Sequence, residues 1–193
     1  MTRAAATLPA DYFDRLYREN ADPWGFRSSP YEKEKYQATL AALSRKRYGR
    51  ALEVGCSIGV LTGMLAPRCE RLLAIDGSER ALGVAREACR DWANVTFEAR
   101  MVPAGFPDGR FELIVLSEVL YYLQESDLDR LAAQCADALS PGGEIVLCHW
   151  LGETDYPLPG REASDRFART MLMRLPARTI LREGTYRLEQ LSG

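Results

Sequence analysis

The sequence predicts a single α/β domain built on one doubly wound, mostly parallel sheet of seven strands, and three observations carry that prediction. Residues 51–59, ALEVGCSIG, join a short unalternating apolar run to two glycines, and Val60, Leu61, Met64 and Leu65 follow at helical spacing. Such a run suits a parallel strand covered on both faces, and the glycines suit a loop whose backbone comes close to a ligand at a helix N-terminus. Downstream, strand-like and helix-like segments alternate as far as residue 148, the pattern of right-handed βαβ crossovers. Two final strand-like runs, 177–182 and 185–191, are separated only by Glu183 and Gly184, which is too short for a parallel crossover and long enough for a hairpin. The last strand must therefore run antiparallel, which puts an antiparallel hairpin at one end of the sheet.

At 193 residues one such domain uses the whole chain, with 49–193 as its core and 1–48 as an N-terminal helical segment. The formal net charge of −2 gives no basic excess, so nucleic acid is not expected as a partner. Cys56, Cys69, Cys89, Cys135 and Cys148 are odd in number, scattered and mostly inside apolar runs. They read as reduced core residues, with neither a disulfide frame nor a metal site. The N-terminus lacks the basic-then-apolar layout of a signal peptide, and no apolar run reaches membrane-spanning length. A soluble, cytoplasmic protein without membrane contact is expected; the oligomeric state has no signature in the chain.

Ahead of the sheet, Tyr12, Phe13, Leu16 and Tyr17 share one face of a predicted helix over 11–19. Asp22-Pro23-Trp24-Gly25 reads as a turn. Ser29 as N-cap, Pro30 at the first helical position and Glu32 as capping-box partner start a second helix that runs to about Lys46. The aromatics of this segment lie outside the sheet and need apolar cover, so the segment reads as a lid over a ligand, with static packing on the sheet as the alternative. After the glycine loop, strand 71–75 ends at Asp76, and Ser78 caps a helix with Ala81, Leu82, Ala85, Cys89 and Trp92 on one face. Strands 95–99 and 111–116 follow, the latter ending at Ser117 and Glu118. A helix from Ser126, ended by Pro141-Gly142-Gly143, leads to strand 144–148, then to His149 and Trp150. The last helix bears Phe167, Met171, Leu172 and Leu175.

The glycine spacing excludes a dinucleotide fingerprint: counting G-x-G-x-x-G from Gly55, the later glycine positions hold Ser57 and Val60. The pattern is E-x-G-x-x-x-G, from Glu53 through Gly55 to Gly59, and it resembles the first motif of class I S-adenosylmethionine (SAM) methyltransferases. Asp76, about twenty residues past Gly55 at a strand end, is placed to accept hydrogen bonds from both ribose hydroxyls of an adenosyl cofactor, helix capping being its plainer role. Four stretches carry a closer resemblance: ALEVGCSIG with APRCERL at 66–72, Ile75-Asp76, SEVLYYL at 117–123 and ADPW at 21–24. Over roughly residues 10–150 they resemble the NodS-type N-methyltransferases, which methylate the free amine of a de-N-acetylated chitin oligosaccharide. The resemblance implies SAM as methyl donor, S-adenosylhomocysteine (SAH) as product and a small-molecule acceptor. It places Trp24, Glu53, Gly55, Cys56, Gly59, Asp76, Met101 and Ser117 around the cofactor. One position departs: Arg100 stands where the family usually has an aspartate for the adenine amino group, and a guanidinium only donates. The backbone of Met101 with a nearby acceptor, or stacking by Arg100, then has to read the adenine.

Methyl transfer from a sulfonium is an in-line displacement that needs donor and acceptor aligned and the acceptor deprotonated. For an amine, one carboxylate or imidazole takes or shares a proton. Glu118 and His149 lie just past the carboxyl ends of adjacent predicted strands, the edge where open α/β sheets bind ligands, and they form the candidate catalytic pair. Their structural alternatives are an ion pair with an arginine for Glu118 and a satisfied, half-buried ring for His149. Tyr121 and Tyr122 offer an acceptor flat apolar faces and hydroxyls. A small-molecule O-methyltransferase, and a SAM-binding module without turnover, fit the same residues.

Overall fold

The structure, a computed structural model, describes residues 3–172 and 175–193. Its first strand, β1 (Tyr48–Val54), is apolar almost throughout its second half because it is flanked by parallel neighbours on both sides, β2 (Cys69–Asp76) and β4 (Phe111–Ser117). With β3 (Val95–Ala99), β5 (Leu139–Trp150), β6 (Ala177–Glu183) and β7 (Tyr186–Ser192) they form one seven-stranded sheet in the order β3-β2-β1-β4-β5-β7-β6. The first five strands pair in parallel. β7 pairs antiparallel with both β5 and β6, as the short 183–184 connection requires.

Helices α1 (Ala10–Glu19), α2 (Pro30–Ala41), α3 (Val60–Leu65), α4 (Glu79–Ala88), α5 (Glu125–Ala138) and α6 (Gly160–Met171) cover the sheet. The two-residue period of β4 splits its core: Ile114 and Leu116 join Leu128, Leu131 and Phe167 of α5 and α6, whereas Leu113 and Val115 join Tyr36, Leu61 and Leu65 of α2 and α3. All five cysteines are buried and unbridged. Among the described residues, no helix is long and apolar enough to cross a membrane.

Several boundaries differ from the sequence-based expectation. The second helix stops at Ala41, short of Lys46, because the next backbone N–H groups have partners in the sheet: Ser44 N–H donates to Glu144 Oε1 at 3.0 Å and Arg45 N–H to Tyr48 Oη at 3.1 Å. Pro141-Gly142-Gly143 does not end α5. Leu139 already pairs with Phe111, and the ladder resumes at Glu144 opposite Leu113, so residues 140–143 form a bulge inside β5, with Gly142 at φ 68°. β5 also runs on through His149 and Trp150, which pair with Arg187 and Tyr186. The expected extension of the last helix to Leu175 crosses residues 173–174, which lie outside the described residues; α6 ends at Met171 with Leu172 as its C-cap.

Candidate active site

The strand order reverses between β1 and β4, so the chain leaves these two neighbours toward opposite sides and opens a crevice at their carboxyl ends. The loop after β1 forms one wall. Gly55 adopts φ 76°, a region that disfavours side chains, and a Cβ there would lie 2.3 Å from Val119 Cγ2. The opposite end of the loop is fastened by Asp76, whose Oδ2 accepts from Ser57 N–H at 2.8 Å and Oδ1 from Ser78 N–H at 2.9 Å. A carboxylate has about four lone-pair sites, so both oxygens keep capacity for a ligand diol. Helix capping falls to Ser78, whose Oγ accepts from Ala81 N–H.

Glu53 lies buried beneath the loop and accepts from Thr62 Oγ1 at 2.6 Å. Burial pushes its carboxyl up from 4.5 to about 8; the Thr62 hydrogen bond opposes this, and the charge of Asp76 adds to it. The folded chain therefore holds this proton more tightly than the unfolded chain. The stabilisation is complete below the unfolded value and is lost as pH rises through the folded one. The melting temperature of the ligand-free protein is expected to fall between about pH 5 and pH 9, and Glu53→Gln to flatten that slope. An unchanged slope in the variant would assign the dependence to other groups.

These elements enclose a cleft of the small-ligand kind, concave and mostly apolar with a few convergent polar groups. Trp24, Glu53, Gly55, Cys56, Asp76, Met101 and Ser117 all line it, as do Glu118 and Tyr122. Gly59 does not. At φ 80° it starts α3, and a Cβ there would press on Ala85 of α4 at 2.9 Å, so close helix packing accounts for the glycine at this position. Arg100 lines the cleft too, with Nε donating to Glu98 at 2.5 Å, and the Met101 side chain lies where a Cβ on Gly77 would be. These groups fit an adenosyl cofactor: a side-chain-free cradle, an acid with spare acceptors at the end of β2, and a buried carboxyl beneath the loop.

The N-terminal segment supplies the outer wall through Leu8, Phe13, Tyr17, Trp24, Phe26 and Tyr36. Asp22 shapes the turn that presents them, accepting from Phe26 N–H at 2.7 Å and Arg27 N–H at 3.0 Å. Trp24 then stacks on Phe26 with centroids 5.4 Å apart, and Tyr17 Oη meets Ser57 Oγ at 2.5 Å. A ligand in the cleft would bridge this wall to the sheet. Proteolysis in the turn around Trp24 is expected to slow when SAH is added; equal cleavage with and without it would make the segment static packing.

Sequence reasoning pairs Glu118 with His149, and the structure separates their surroundings. Glu118 takes φ 58°, a left-handed conformation uncommon outside glycine and found at functional sites. Its Oε1 accepts from Lys35 Nζ at 2.6 Å; its Oε2 accepts from Tyr121 Oη at 2.6 Å and Trp150 N–H at 2.9 Å. His149 is 0 % exposed and lines neither cavity. Its Nε2 accepts from the backbone N–H groups of Val119 and Leu120 at 3.3 and 3.1 Å, and Ser164 Oγ lies 3.5 Å from Nδ1. Burial drives its pKa down to about 4 even though Glu118 pulls it up. The assignment of His149 as proton acceptor is therefore corrected. Its lone pair is already used, and it fixes the backbone turn that follows Glu118.

A second cavity, about 700 Å³ with its mouth, adjoins the first and shares Trp24, Phe26, Glu118 and Tyr122 with it. Tyr121 lines this cavity only. Sequence reasoning missed Tyr31, Glu32, Lys35, Trp150, Thr154 and Tyr156, which complete its wall. Glu32 does not complete the expected capping box. Its backbone N–H does take the Ser29 cap, but Ser29 N–H donates to Gly25 O, so the Glu32 carboxylate turns to Lys35 and not back to the cap. A Lys three residues after a Glu on the buried face of a helix was the available signal.

A doubly wound sheet with a glycine loop at its switch point and an acid ending the second strand defines a class I SAM-dependent methyltransferase fold. Within that class, the chain belongs to the NodS family, whose model, Nodulation protein S, matches residues 9–147. Nodulation protein S of Rhizobium tropici is 36% identical over 140 residues, covering 70% of this chain and 59% of its own length. The chain thus spans about three fifths of the curated relatives it matches. Among solved structures, the N-methyltransferase NodS of Bradyrhizobium japonicum WM9 in complex with SAH is similar, with a TM-score of 0.80 and 25% identity over 96% of this chain and 99% of that one. A putative methyltransferase from Pseudomonas syringae is 35% identical, with a TM-score of 0.71 over 84% and 99% of the two chains.

Proposed function

We propose that the chain transfers the methyl group of SAM to the amine of a small-molecule acceptor, with amino sugars as the acceptor class. The observation that carries this reading is the position of Glu118, a carboxylate shared by the cofactor-type cleft and the aromatic side cavity. The cofactor brings the electrophilic methyl group as a sulfonium. Asp76 holds the ribose diol, the 55–57 loop and Ser117 hold the amino-acid end, and the N-terminal wall excludes water. Glu118 keeps a lone pair on Oε1 beside Lys35, which lets it share and then take an acceptor proton while the freed nitrogen lone pair attacks. Tyr121, Tyr122 and Tyr156 present stacked and edge-on rings within 5.3 Å of one another, faces suited to a sugar ring. Methyl transfer to an amino sugar is also what the resemblance to NodS-type enzymes suggests.

An assay for released SAH, run against amino sugars, aromatic amines and small hydroxyl and carboxyl acceptors, tests the proposal. Turnover with amines is the expected result. Turnover confined to hydroxyl or carboxyl acceptors would make the chain an O-methyltransferase, and uniform silence with SAH bound would make it a binding module.

A further inference from the structure

We propose that Glu32 makes the side cavity a cation site, so that an acceptor is admitted as its ammonium and a neutral molecule of the same shape is disfavoured. This rests on reading that cavity as the acceptor pocket. Two carboxylates, Glu32 and Glu118, share one ammonium, that of Lys35, which is 2 % exposed and donates to Glu32 Oε1 at 2.9 Å and Glu118 Oε1 at 2.6 Å. One negative charge is left over, and the hydrogen bonds show where it resides. Glu118 is satisfied at its other oxygen by Tyr121 and Trp150. Glu32, only 8 % exposed, is less well supplied: its Oε2 lies 2.8 Å from Lys35 Nζ without hydrogen-bond alignment and has no aligned donor, and beyond Lys35 only the Tyr36 hydroxyl is near enough to help hold its charge. Thr154 Oγ1, on the same cavity wall, is likewise buried and unpartnered.

An uncompensated buried carboxylate is costly, and it is relieved either by a proton or by a cation in the adjoining cavity. The groups facing Glu32 are Lys35, Tyr31 and Tyr36 from its own helix, Glu118 and Tyr121 from the segment after β4, Cys148 of β5, and Tyr186 of β7 beside Tyr31. Lys35 is the one cation among these, and it is already shared. Burial holds the Glu32 carboxyl above its ordinary range, against the pull of Lys35, so a proton competes with a cation for this carboxylate as pH falls. The cavity walls suit a cation as well. The Tyr31 ring lies 5.4 Å from Lys35 Nζ, and Trp150, 37 % exposed at the mouth, meets Tyr31 edge-on. Entry of an ammonium therefore expels the Glu32 proton, and acceptor affinity rises with pH through the titration of Glu32.

Calorimetry on the SAH-saturated full chain tests this with glucosamine, ethanolamine as a sugar-free ammonium, and neutral N-acetylglucosamine, each in two buffers of different ionisation enthalpy. The wild type is expected to prefer the two amines and to release protons on binding them. Glu32→Gln, which keeps the Ser29 cap on its backbone N–H and leaves the Lys35–Glu118 pair intact, should weaken both amines roughly ten- to a hundredfold. The variant should leave N-acetylglucosamine unchanged and abolish the proton release, and Glu32→Asp should restore part of the preference. No preference for amines in the wild type, or the same preference in Glu32→Gln, would overturn the proposal. Amine binding without methyl transfer would sink only the proposed function; transfer with selection independent of Glu32 would sink only this inference.

Discussion

Glu118→Gln is expected to lower turnover with an amine acceptor by about 10² to 10⁴, the usual loss on removing a general base, while SAH affinity stays nearly intact. Glutamine keeps the size of the side chain, and its carbonyl can still accept from Tyr121 Oη and Trp150 N–H, so the left-handed turn at residue 118 has no reason to unfold. What changes is the oxygen toward Lys35, replaced by an NH₂ that faces another donor and cannot take a proton. Single-turnover rates with saturating SAM separate the chemical step from binding. Full turnover in the variant would reduce the pocket to positioning alone, and weakened SAH binding would move Glu118 to the cofactor site.

Asp76→Ala is expected to weaken SAH by about a hundredfold or more, because two hydrogen bonds to a charged acceptor are lost at roughly 1.5–3 kcal/mol each. Part of that loss is indirect. Ser57 and Ser78 N–H lose their acceptor, and with Ser57 goes the loop that forms the cradle. Asp76→Asn separates the two contributions, since an amide oxygen can still accept from one backbone N–H but cannot serve both the loop and a diol. Calorimetric titration with SAH reads both variants. Affinity unchanged in Asp76→Ala would leave Asp76 as a fastening for the loop only.

Much of the sheet and the frame of the first cleft were legible because they rest on local rules. The Gly55 turn, the acid closing β2 and the antiparallel return of β7 follow from glycine conformation, strand ends and connection length, all of which act over a few residues. The side cavity was not legible, because it is assembled from α2, the segment after β4 and the loop after β5, which no spacing relates. His149 shows the limit sharply. A strand end places a residue near the mouth of the crevice, but the pleat decides whether its side chain enters the crevice or the layer beneath, and here β5 runs two residues further than its apolar run suggests. Gly59 shows a related limit: a missing side chain serves a ligand or a neighbouring helix, and the approach of Ala85 became visible only in three dimensions.

The most direct measurement follows the methyl group itself. The full chain is incubated with SAM carrying an isotope-labelled methyl and with glucosamine, and the label is located in the products by NMR. Label on the sugar nitrogen, accompanied by an equal amount of SAH, is the expected result. Label on a sugar oxygen, or unreacted amine beside bound cofactor, would contradict amine methylation at the junction of the two cavities.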